Sequence, residues 1–239
     1  MIDFHSHFLP GIDDGSDSVA TSMAMLDCWK AQGISTICAT PHFYADHNTP
    51  ERFLSRRDTA FEMLREEMAL KEIPIPDIRL GAEVRFFDGI SRFDGLSELC
   101  LEGTDLLLLE MPFRTWTSRM IDEVGVIAAT TGLMPVAAHI ERYLDQPRGL
   151  LKEFLKLNIF FQSNAEFFLE QGFSRKGLKM LKKGVITFLG SDAHNMGHRP
   201  VNLGPALEVI SRSLGDRFIT ELEQRQYDIL DQFRTDDFF

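Results

Sequence analysis

Seven short apolar segments alternate with stretches of helical periodicity, and this alternation limits the folds that the chain can adopt. In order, they read MIDFHSH, ISTICAT, DIRLGAEV, DLLLLEM, MPVAAHI, NIFFQSN and VITFLGSD. Strands that are apolar throughout and separated by helices indicate a parallel α/β sheet covered on both faces. About seven such units favour a barrel over an open sheet. The 239 residues contain no internal repeat or linker, so we expect one domain over residues 1–239.

The helical stretches carry their own boundary signals. Residues 17–32 repeat apolar side chains at helical spacing. Thr49 and Pro50 read as an N-cap followed by proline at the first helical position, which predicts a helix to about residue 71. Further helices are predicted in SRMIDEVGVIAATTG and PRGLLKEFLKL, and the tail after Tyr227 is expected to be a loose terminus.

The composition excludes several classes of partner and location. The net charge of -11 at pH 7 argues against general binding of nucleic acids or anionic membranes. Three cysteines without paired spacing are typical of reduced cytosolic thiols rather than of a disulfide framework. The N-terminus lacks a signal-peptide pattern, and no apolar stretch is long enough to span a bilayer. We therefore expect a cytoplasmic protein without membrane insertion.

Most of the predicted strands end in a histidine or a carboxylate. These residues are His5 and His7, His42, Glu83, Glu110, His139, and Asp192 with His194. Polar residues are expected wherever a loop begins, but this does not explain why five of the seven histidines lie at strand ends. In α/β barrels, sites are built at the carboxyl ends of the strands. The pattern therefore predicts one site that gathers these side chains.

The first strand places two imidazoles on one face. Side chains alternate along a strand, so His5 and His7 point the same way and lie close enough to bind one metal ion. The alternative is an ordinary exposed strand face with two unrelated histidines. The strand breaks at Pro10, and the carboxylates of Asp13 and Asp14 follow. One of these two aspartates is a further candidate ligand.

The candidate donors are nitrogen and oxygen atoms without a thiolate, a set that suits Mn, Fe, Zn or Co. Five histidines, three strand-end carboxylates and one aspartate of the adjacent pair make nine donors. This is too many for one tetrahedral ion, so we expect two or three divalent ions. Ions held about 3.5–4 Å apart activate water for the hydrolysis of phosphate esters. Three such ions would outweigh four carboxylates and favour an anionic substrate such as a phosphate.

The motifs DFHSH, TPH, GAE, AHIERY and SDAHN, in this order, resemble those of the PHP (polymerase and histidinol phosphatase) superfamily. The opening IDFHSHFLPGIDDG and the segments HIERY and SDAHNMGHRP are most similar to bacterial PHP-type protein-tyrosine phosphatases encoded with capsule and exopolysaccharide genes. The similarity runs through nearly the whole chain. It implies a distorted (β/α)7 TIM-like barrel with a trinuclear metal site, for which manganese is the first expectation.

The resemblance also implies a distribution of ligands among the ions. His5, His7, Glu83 and Asp192 would surround a first ion. Glu83 would bridge to a second ion, which Glu110 and His139 would also hold. A third ion would lie among Asp14, His42 and His194. Asp14 aligns with the family ligand, and Asp13 remains the alternative.

Two arginines follow ligand-bearing strand ends. Arg142 lies three residues after His139, and Arg199 lies five residues after His194. The ordinary role of an arginine is a solvated surface charge, but a guanidinium at these places could grip phosphate oxygens in a bidentate manner. The resemblance implies the same two positions as substrate contacts.

Asp192, His194 or water would supply a proton to the leaving group.

A cysteine-based phosphatase is excluded by the sequence. The residues six positions after Cys28, Cys38 and Cys100 are Ile34, Tyr44 and Leu106, so there is no Cys-x5-Arg phosphate loop.

The aromatic residues near the rim have two interpretations, as walls for a phosphotyrosine ring or as loop packing. They are Phe43, Tyr44, Phe113, Trp116 and Tyr143.

Three functions remain from the sequence. The first, which we expect, is a metal-dependent tyrosine phosphatase acting on the tail of a membrane-associated bacterial tyrosine autokinase of polysaccharide export. The second is a small-molecule phosphatase, such as a histidinol-phosphate phosphatase. The third is a regulatory module that docks on the kinase and holds its metals structurally.

Overall fold

The chain forms an α/β structure in which a parallel sheet curls around a buried core. The computed structural model describes residues 1–73 and 76–235. Its strands are β1 Ile2–Ser6, β2 Thr36–Ala39, β3 His42–Phe43, β4 Asp77–Leu80, β5 Glu83–Arg85, β6 Leu106–Glu110, β7 Met134–Ala137, β8 Phe160–Asn164 and β9 Phe188–Gly190. Each of the seven apolar segments contains at least one of these strands, and their pairings are parallel.

Helices separate most of the strands along the chain. They are α1 Val19–Ala31, α2 Pro50–Leu70, α3 Ser118–Thr130, α4 Arg148–Phe154, α5 Glu166–Leu169, α6 Ser174–Lys182, α7 Leu203–Leu214 and α8 Asp216–Gln232. The side chains of Ser18, Thr49 and Thr117 cap α1, α2 and α3 by accepting hydrogen bonds from backbone N–H groups of the first turn. Pro50 begins α2, as its sequence predicts.

Two predicted strands are interrupted near their carboxyl ends. The first break, at Pro41, separates β2 from β3, and the second, at Gly81, separates β4 from β5. Proline lacks an N–H and cannot complete a regular ladder. The two breaks lie beside each other, and the backbone N–H of Glu83 still donates to the carbonyl of Pro41 at 3.0 Å. Beyond the breaks, His42 pairs directly with Glu83, which brings both side chains to the same rim.

The order of the strands places the first beside the last. One group has the order β1-β2-β4, and the other has the order β3-β5-β6-β7-β8-β9. Just after β9, the N–H of Asp192 donates to the carbonyl of His5 at 2.8 Å, and the N–H of His7 donates to the carbonyl of Ala193 at 2.9 Å. These two bonds attach the end of β9 to the end of β1.

The rim of the sheet that carries His42 and Glu83 lies above an apolar layer. This layer contains Ile2, Phe4, Leu106, Leu108, Val136 and Phe188. Leu106 and Leu108 precede Glu110 at two-residue spacing on β6, so all three share one face of the sheet. Ile229 and Leu230 of α8 belong to the same cluster. A larger apolar cluster packs the helices against the opposite face.

The C-terminal segment differs from its sequence-based expectation. Tyr227 lies within α8, and its hydroxyl is 3.1 Å from Ser35 Oγ and 2.8 Å from Thr36 Oγ1. The prediction of a loose tail after Tyr227 is therefore wrong for residues 228–235, because α8 continues to Gln232 and distant side chains anchor this helix. Residues 236–239 lie outside the described part. Within that part, none of the helices combines the length and apolar character that a membrane span requires.

Candidate metal centre

Nine side chains at the carboxyl ends of the strands come together in one cluster. Three overlapping groups place one donor atom from each member within 4.8 Å of the others. The groups are His5, His7 and Glu83; His42, Glu83 and Glu110; and His7, Asp14, His42 and His194. His139 lies against Glu83, and Asp192 lies against the histidines of the first strand. The cluster thus unites all of the residues that the sequence predicts as ligands.

His5, in β1, and His7, which directly follows β1, are called the histidines of β1 here and are oriented for a shared ion. His5 Nε2 and His7 Nε2 lie 3.0 Å apart, and each is 3.3 Å from Glu83 Oε2. Their other ring nitrogens are engaged: His5 Nδ1 is 3.2 Å from Gln162 Oε1, and His7 Nδ1 is 2.7 Å from Asp13 Oδ2. An Nδ1–H that donates outward leaves the Nε2 lone pair free for a metal. Two inward lone pairs at this separation favour a common cation.

The adjacent aspartates take different positions. Asp13 is nearly buried, and its Oδ2 accepts hydrogen bonds from His7 Nδ1 and from the backbone N–H of His42. Asp14 has a side chain that is 66% exposed, and its Oδ1 lies 3.3 Å from His42 Nε2 and 3.5 Å from His194 Nε2. The geometry therefore places Asp14 among the donor atoms, whereas Asp13 orients His7.

Glu83 lies at the centre of the cluster. Its Oε2 faces His5 and His7, and the same atom is 2.9 Å from His42 Nδ1. Its Oε1 is 3.0 Å from His139 Nε2, which is also 3.6 Å from Glu110 Oε1. One carboxylate thus contacts donors of two different groups, the arrangement that a bridging ligand requires. Two histidines lie near the carboxylates of Glu83 and Glu110. His139 is within 3.6 Å of both, and His42 forms a group with both.

The carboxylate of Asp192 divides its two oxygens between the cluster and the arginines. Oδ1 faces the histidines of β1 at 3.5 and 3.6 Å and has no hydrogen-bond partner. Oδ2 accepts from Arg142 Nη2 at 2.7 Å and Asn164 Nδ2 at 2.8 Å, and Arg199 Nη2 lies 2.6 Å away. Each arginine side chain remains 35% exposed. Both guanidinium groups are therefore fixed beside the cluster while still facing solvent.

The carboxylates of the cluster raise the pKa values of two of its histidines. Burial alone would lower the pKa of His7, but the charge of Asp13 and its hydrogen bond outweigh burial and raise this pKa to about 10. For His139, burial again lowers the pKa, while Glu110 and Glu83 raise it to about 9. Burial would raise the pKa of Glu83, but His5 and the neighbouring histidines hold it well below its usual range. Without a cation the cluster thus gathers protons, and metal ions would replace them.

Several buried polar atoms in the cluster have no hydrogen-bond partner within residues 1–73 and 76–235, which tests whether the residues fit metal ions. They are His42 Nδ1, Glu83 Oε2, His139 Nδ1 and Asp192 Oδ1. Buried polar groups without partners are rare in proteins, because each costs its full desolvation. Three of these atoms point among nitrogen and oxygen donors that suit divalent metals. The donor set and its unpartnered atoms therefore fit divalent ions.

Comparison with known proteins assigns the family. A family model described as "Capsular polysaccharide synthesis, CpsB/CapC" matches residues 1–228. The chain belongs to the CpsB/CapC family. Tyrosine-protein phosphatase YwqE of Bacillus subtilis is 30% identical over 224 residues, which cover 90% of this chain and 85% of YwqE. Tyrosine-protein phosphatase CpsB of Streptococcus agalactiae is 27% identical over 235 residues, which cover 93% of this chain and 94% of that CpsB.

Solved structures agree with this assignment. A chain from the crystal structures of YwqE from Bacillus subtilis and CpsB from Streptococcus pneumoniae, described as unique metal-dependent tyrosine phosphatases, aligns with a TM-score of 0.83 and 26% identity. The alignment covers 98% of this CpsB/CapC chain and 96% of that one. A probable 2-pyrone-4,6-dicarboxylic acid hydrolase from Acinetobacter baumannii aligns with a TM-score of 0.56 at 12% identity, over 96% of this chain and 98% of that one, which indicates a shared fold.

Two positions of the cluster in this CpsB/CapC chain have unusual backbone conformations. His139 has a φ of 33° and Asp192 a φ of 52°, although neither is glycine. Left-handed backbone at such residues costs on the order of 1–3 kcal/mol and concentrates at functional sites. The preceding Gly190 permits close packing of β9 on β1, because an added Cβ would lie 2.6 Å from His5 Cβ. The left-handed backbone at His139 and Asp192 and the close packing at Gly190 both orient side chains towards the cluster.

A small pocket of about 270 Å³ opens beside the cluster. Its lining consists of His42, Tyr44, Glu83, Arg85, Glu110, Phe113, Arg142, Asp192 and Arg199. Of the five aromatic residues that the sequence offered as walls, Tyr44 and Phe113 line this pocket. Phe43, Trp116 and Tyr143 are buried and belong to the apolar core. The ring of Phe113 stacks on that of His139, with centroids 5.8 Å apart.

Sequence reasoning assigned no role to several residues of this site. Gln162 Oε1 contacts His5 Nδ1 and accepts from the backbone N–H of His139 at 2.7 Å. Asn164 donates to Asp192, and Arg85 lines the pocket with its guanidinium 5.5 Å from the centroid of the Tyr44 ring. Gln162 and Asn164 alternate on the predicted strand NIFFQSN, and that polar spacing inside an apolar strand was the available signal.

Proposed function

We propose that this CpsB/CapC protein is a metal-dependent protein-tyrosine phosphatase that hydrolyses phosphotyrosine. One observation carries the proposal: Asp192 turns one oxygen to the histidines of β1 and the other to Arg142 and Arg199. A metal centre and two phosphate-binding groups thus share a single carboxylate. The tyrosine-protein phosphatase names of YwqE and CpsB support the same activity.

The donor set supports two or three divalent ions, with manganese first and iron, zinc or cobalt as alternatives. His5, His7, Glu83 and Asp192 would hold one ion. Glu83, Glu110 and His139 would hold a second ion, and Asp14, His42 and His194 would hold a third. When bound, such ions lower the pKa of water and neutralise charge on phosphoryl oxygens.

The side chains around the pocket would bind and orient the substrate. Arg142 and Arg199 would donate their remaining N–H groups to the phosphate oxygens, which gain negative charge in the transition state. The half-buried Tyr44 and the exposed Phe113 would flank the aromatic ring, and the open side at Phe113 leaves room for a peptide backbone. Asn164 would keep Asp192 in place while the arginines contact substrate.

The leaving phenolate would receive its proton from water. Burial lowers the pKa of His194, assisted by the charges of His7 and Arg199, to about 4, and its Nδ1 lies 2.9 Å from the carbonyl of Asp192. Burial raises the pKa of Asp192, but His5 and His7 outweigh burial and hold it low. At neutral pH, His194 is therefore a neutral imidazole and Asp192 a carboxylate, the forms that suit metal ligands. Phenolate is a fair leaving group without strong acid catalysis.

The cysteines support direct hydrolysis without a covalent intermediate. Cys38 and Cys100 are buried, and burial raises the pKa of Cys100 to about 12 and that of Cys38 well above its usual range. Thiols of this kind are poor nucleophiles, because the thiolate is the reactive form.

We also propose that the curled sheet is a distorted (β/α)7 TIM-like barrel of the PHP type, and that residues 1–239 form one domain. The interrupted pairs β2–β3 and β4–β5 each count as one strand, which gives seven strands. The backbone hydrogen bonds between the ends of β9 and β1 support closure.

The family description supports a role in capsular polysaccharide synthesis. We propose as substrate the phosphorylated tail of a membrane-associated bacterial tyrosine autokinase, met in the cytoplasm. A histidinol-phosphate phosphatase and a kinase-docking module with structural metals are the competing functions.

Turnover by metal-loaded protein separates the three functions. We expect hydrolysis of a phosphotyrosine peptide with much higher kcat/KM than of histidinol phosphate. A preference for histidinol phosphate would replace the proposal with the small-molecule activity. Full metal content without turnover of either compound would favour the docking module.

A further inference from the structure

A second pocket adjoins the catalytic pocket and shares two of its walls. It has a volume of about 570 Å³ and is lined by Tyr44, Ala45, Asp46, Arg85, Phe86, Phe87, Phe93, Pro112 and Arg114. Tyr44 and Arg85 line both pockets. The second space therefore lies directly beside any ligand held in the catalytic pocket.

The walls of the second pocket combine aromatic rings with positive charge. The rings of Phe87 and Phe93 pack edge to face with centroids 5.2 Å apart, and both remain partly exposed. Arg85 and Arg114 are exposed, and neither forms an ion pair with a carboxylate in residues 1–73 and 76–235. This is the same pairing of aromatic surface and guanidinium groups that the catalytic pocket offers.

The local charge of the second pocket is opposite in sign to the net charge of the protein. The chain has a net charge of -11, yet two uncompensated guanidinium groups lie together at one pocket. One carboxylate, Asp46, also lines it, and its partner is His47 at 3.5 Å, with both side chains more than 70% exposed. The pocket thus keeps a local positive excess that would attract an anionic group.

From these observations we infer that the second pocket binds another phosphotyrosine of the same peptide while the first is hydrolysed. Its ring would lie against Phe87 and Phe93, and its phosphate would pair with Arg85 and Arg114. A carboxylate side chain would satisfy the arginines but leave most of the aromatic wall uncovered. This inference rests on the proposed phosphatase activity and makes multiply phosphorylated tails the preferred substrates.

Arg114 offers the cleanest test, because it lines only the second pocket. The substrates are a peptide with two phosphotyrosines a few residues apart, the same peptide with one, and a version with glutamate at the second position. p-Nitrophenyl phosphate, which is too small to reach the second pocket, reports on the catalytic pocket alone. We expect wild-type kcat/KM to be roughly tenfold higher for the doubly phosphorylated peptide, as one charge-assisted hydrogen bond would give.

In Arg114→Ala, this advantage should fall to about the twofold that two equivalent phosphates give, while turnover of p-nitrophenyl phosphate and the Tm stay unchanged. Arg114→Lys should keep part of the advantage. Arg217→Ala is the matched control, since this arginine is 91% exposed on α8 and pairs with Glu221 one helical turn away. It should retain the full advantage.

Three results would overturn the inference. They are an equal rate per phosphate for both peptides in the wild-type protein, an unchanged advantage in Arg114→Ala, and an equal gain from glutamate at the second position. Failure of the proposed function is separate, because it would abolish turnover of p-nitrophenyl phosphate and of the singly phosphorylated peptide as well.

Discussion

Arg142 Nη2 lies 2.7 Å from Asp192 Oδ2, while Oδ1 of the same carboxylate faces the histidine cluster without a hydrogen-bond partner. A residue that is proposed to bind substrate is thus anchored on a residue that is proposed to bind metal. Arg199 makes the same contact at 2.6 Å. This arrangement keeps the guanidinium groups at a fixed place relative to the metal centre, and pre-positioned charge is what stabilises a transition state.

The first prediction concerns these two arginines. Arg142→Ala and Arg199→Ala should each lower kcat/KM on a phosphotyrosine peptide by on the order of 10²–10³-fold, or about 3–4 kcal/mol. Metal content and Tm should change little, because each single variant leaves one arginine and Asn164 on Asp192 Oδ2. Steady-state kinetics, metal analysis and thermal melting provide the readout.

Lysine variants sharpen this test. Arg142→Lys and Arg199→Lys should recover only part of the activity, because an ammonium group lacks the two-pronged geometry. Wild-type efficiency in both alanine variants would remove the arginines from the site. A loss of Tm or of metal that precedes the loss of activity would instead assign them a structural role.

The second prediction separates the adjacent aspartates. Asp13→Ala should weaken metal binding by roughly 10–100-fold, because His7 loses the carboxylate that fixes its Nδ1–H. Asp14→Ala should remove one ion and leave the rest bound, since the carboxylate of Asp14 lies nearest to His42 and His194, at 3.3 and 3.5 Å. Metal titration of both variants measures these effects.

Asp58→Ala is the control for the aspartate variants, because its exposed carboxylate pairs with the neighbouring Arg57 on α2. It should bind metal like the wild type. Equal metal affinity in Asp13→Ala and the control would refute the orienting role.

The third prediction concerns removal of the metals. Chelation should abolish turnover and lower the Tm, since ions that bind only the folded chain stabilise it by about 2.7 kcal/mol at one hundred times their Kd. The donors come from several separate strands. Loss of the metal ions therefore also leaves buried carboxylates and histidines without a common partner. Readdition of Mn²⁺ should restore both properties, and full activity after exhaustive chelation would contradict the account.

The sequence predicted which side chains come together in the cluster, because strand geometry carries most of that information. Alternation on β1 places His5 and His7 together, and neighbouring strands that end at one rim bring in Glu83 and Glu110. The choice between Asp13 and Asp14 stayed open, because both follow the same loop. Only the fold shows that Asp13 is nearly buried against His7 while Asp14 faces the donors.

Other features depend on contacts between distant parts of the chain, which local patterns do not contain. Gln162 supports His5 from a strand 157 residues away. Tyr227 anchors α8 through Ser35 and Thr36, and because these contacts are distant in sequence, local patterns did not predict that the helix continues beyond Tyr227. The interruption at Pro41 follows from its missing N–H, but its pairing with the break at Gly81 depends on the register of two strands.

The most direct test of the central claim is the metal content of Glu83→Gln together with its turnover of a phosphotyrosine peptide. Glu83 contacts donors of two groups, so its loss should disrupt more than one ion. Glu123→Gln is the control, because this largely buried glutamate accepts hydrogen bonds from Ser91 and lies outside the cluster. We predict two to three ions per chain in the wild type and the control, and fewer than two with little turnover in Glu83→Gln. A full metal complement with near-native turnover in Glu83→Gln would contradict the bridged metal centre.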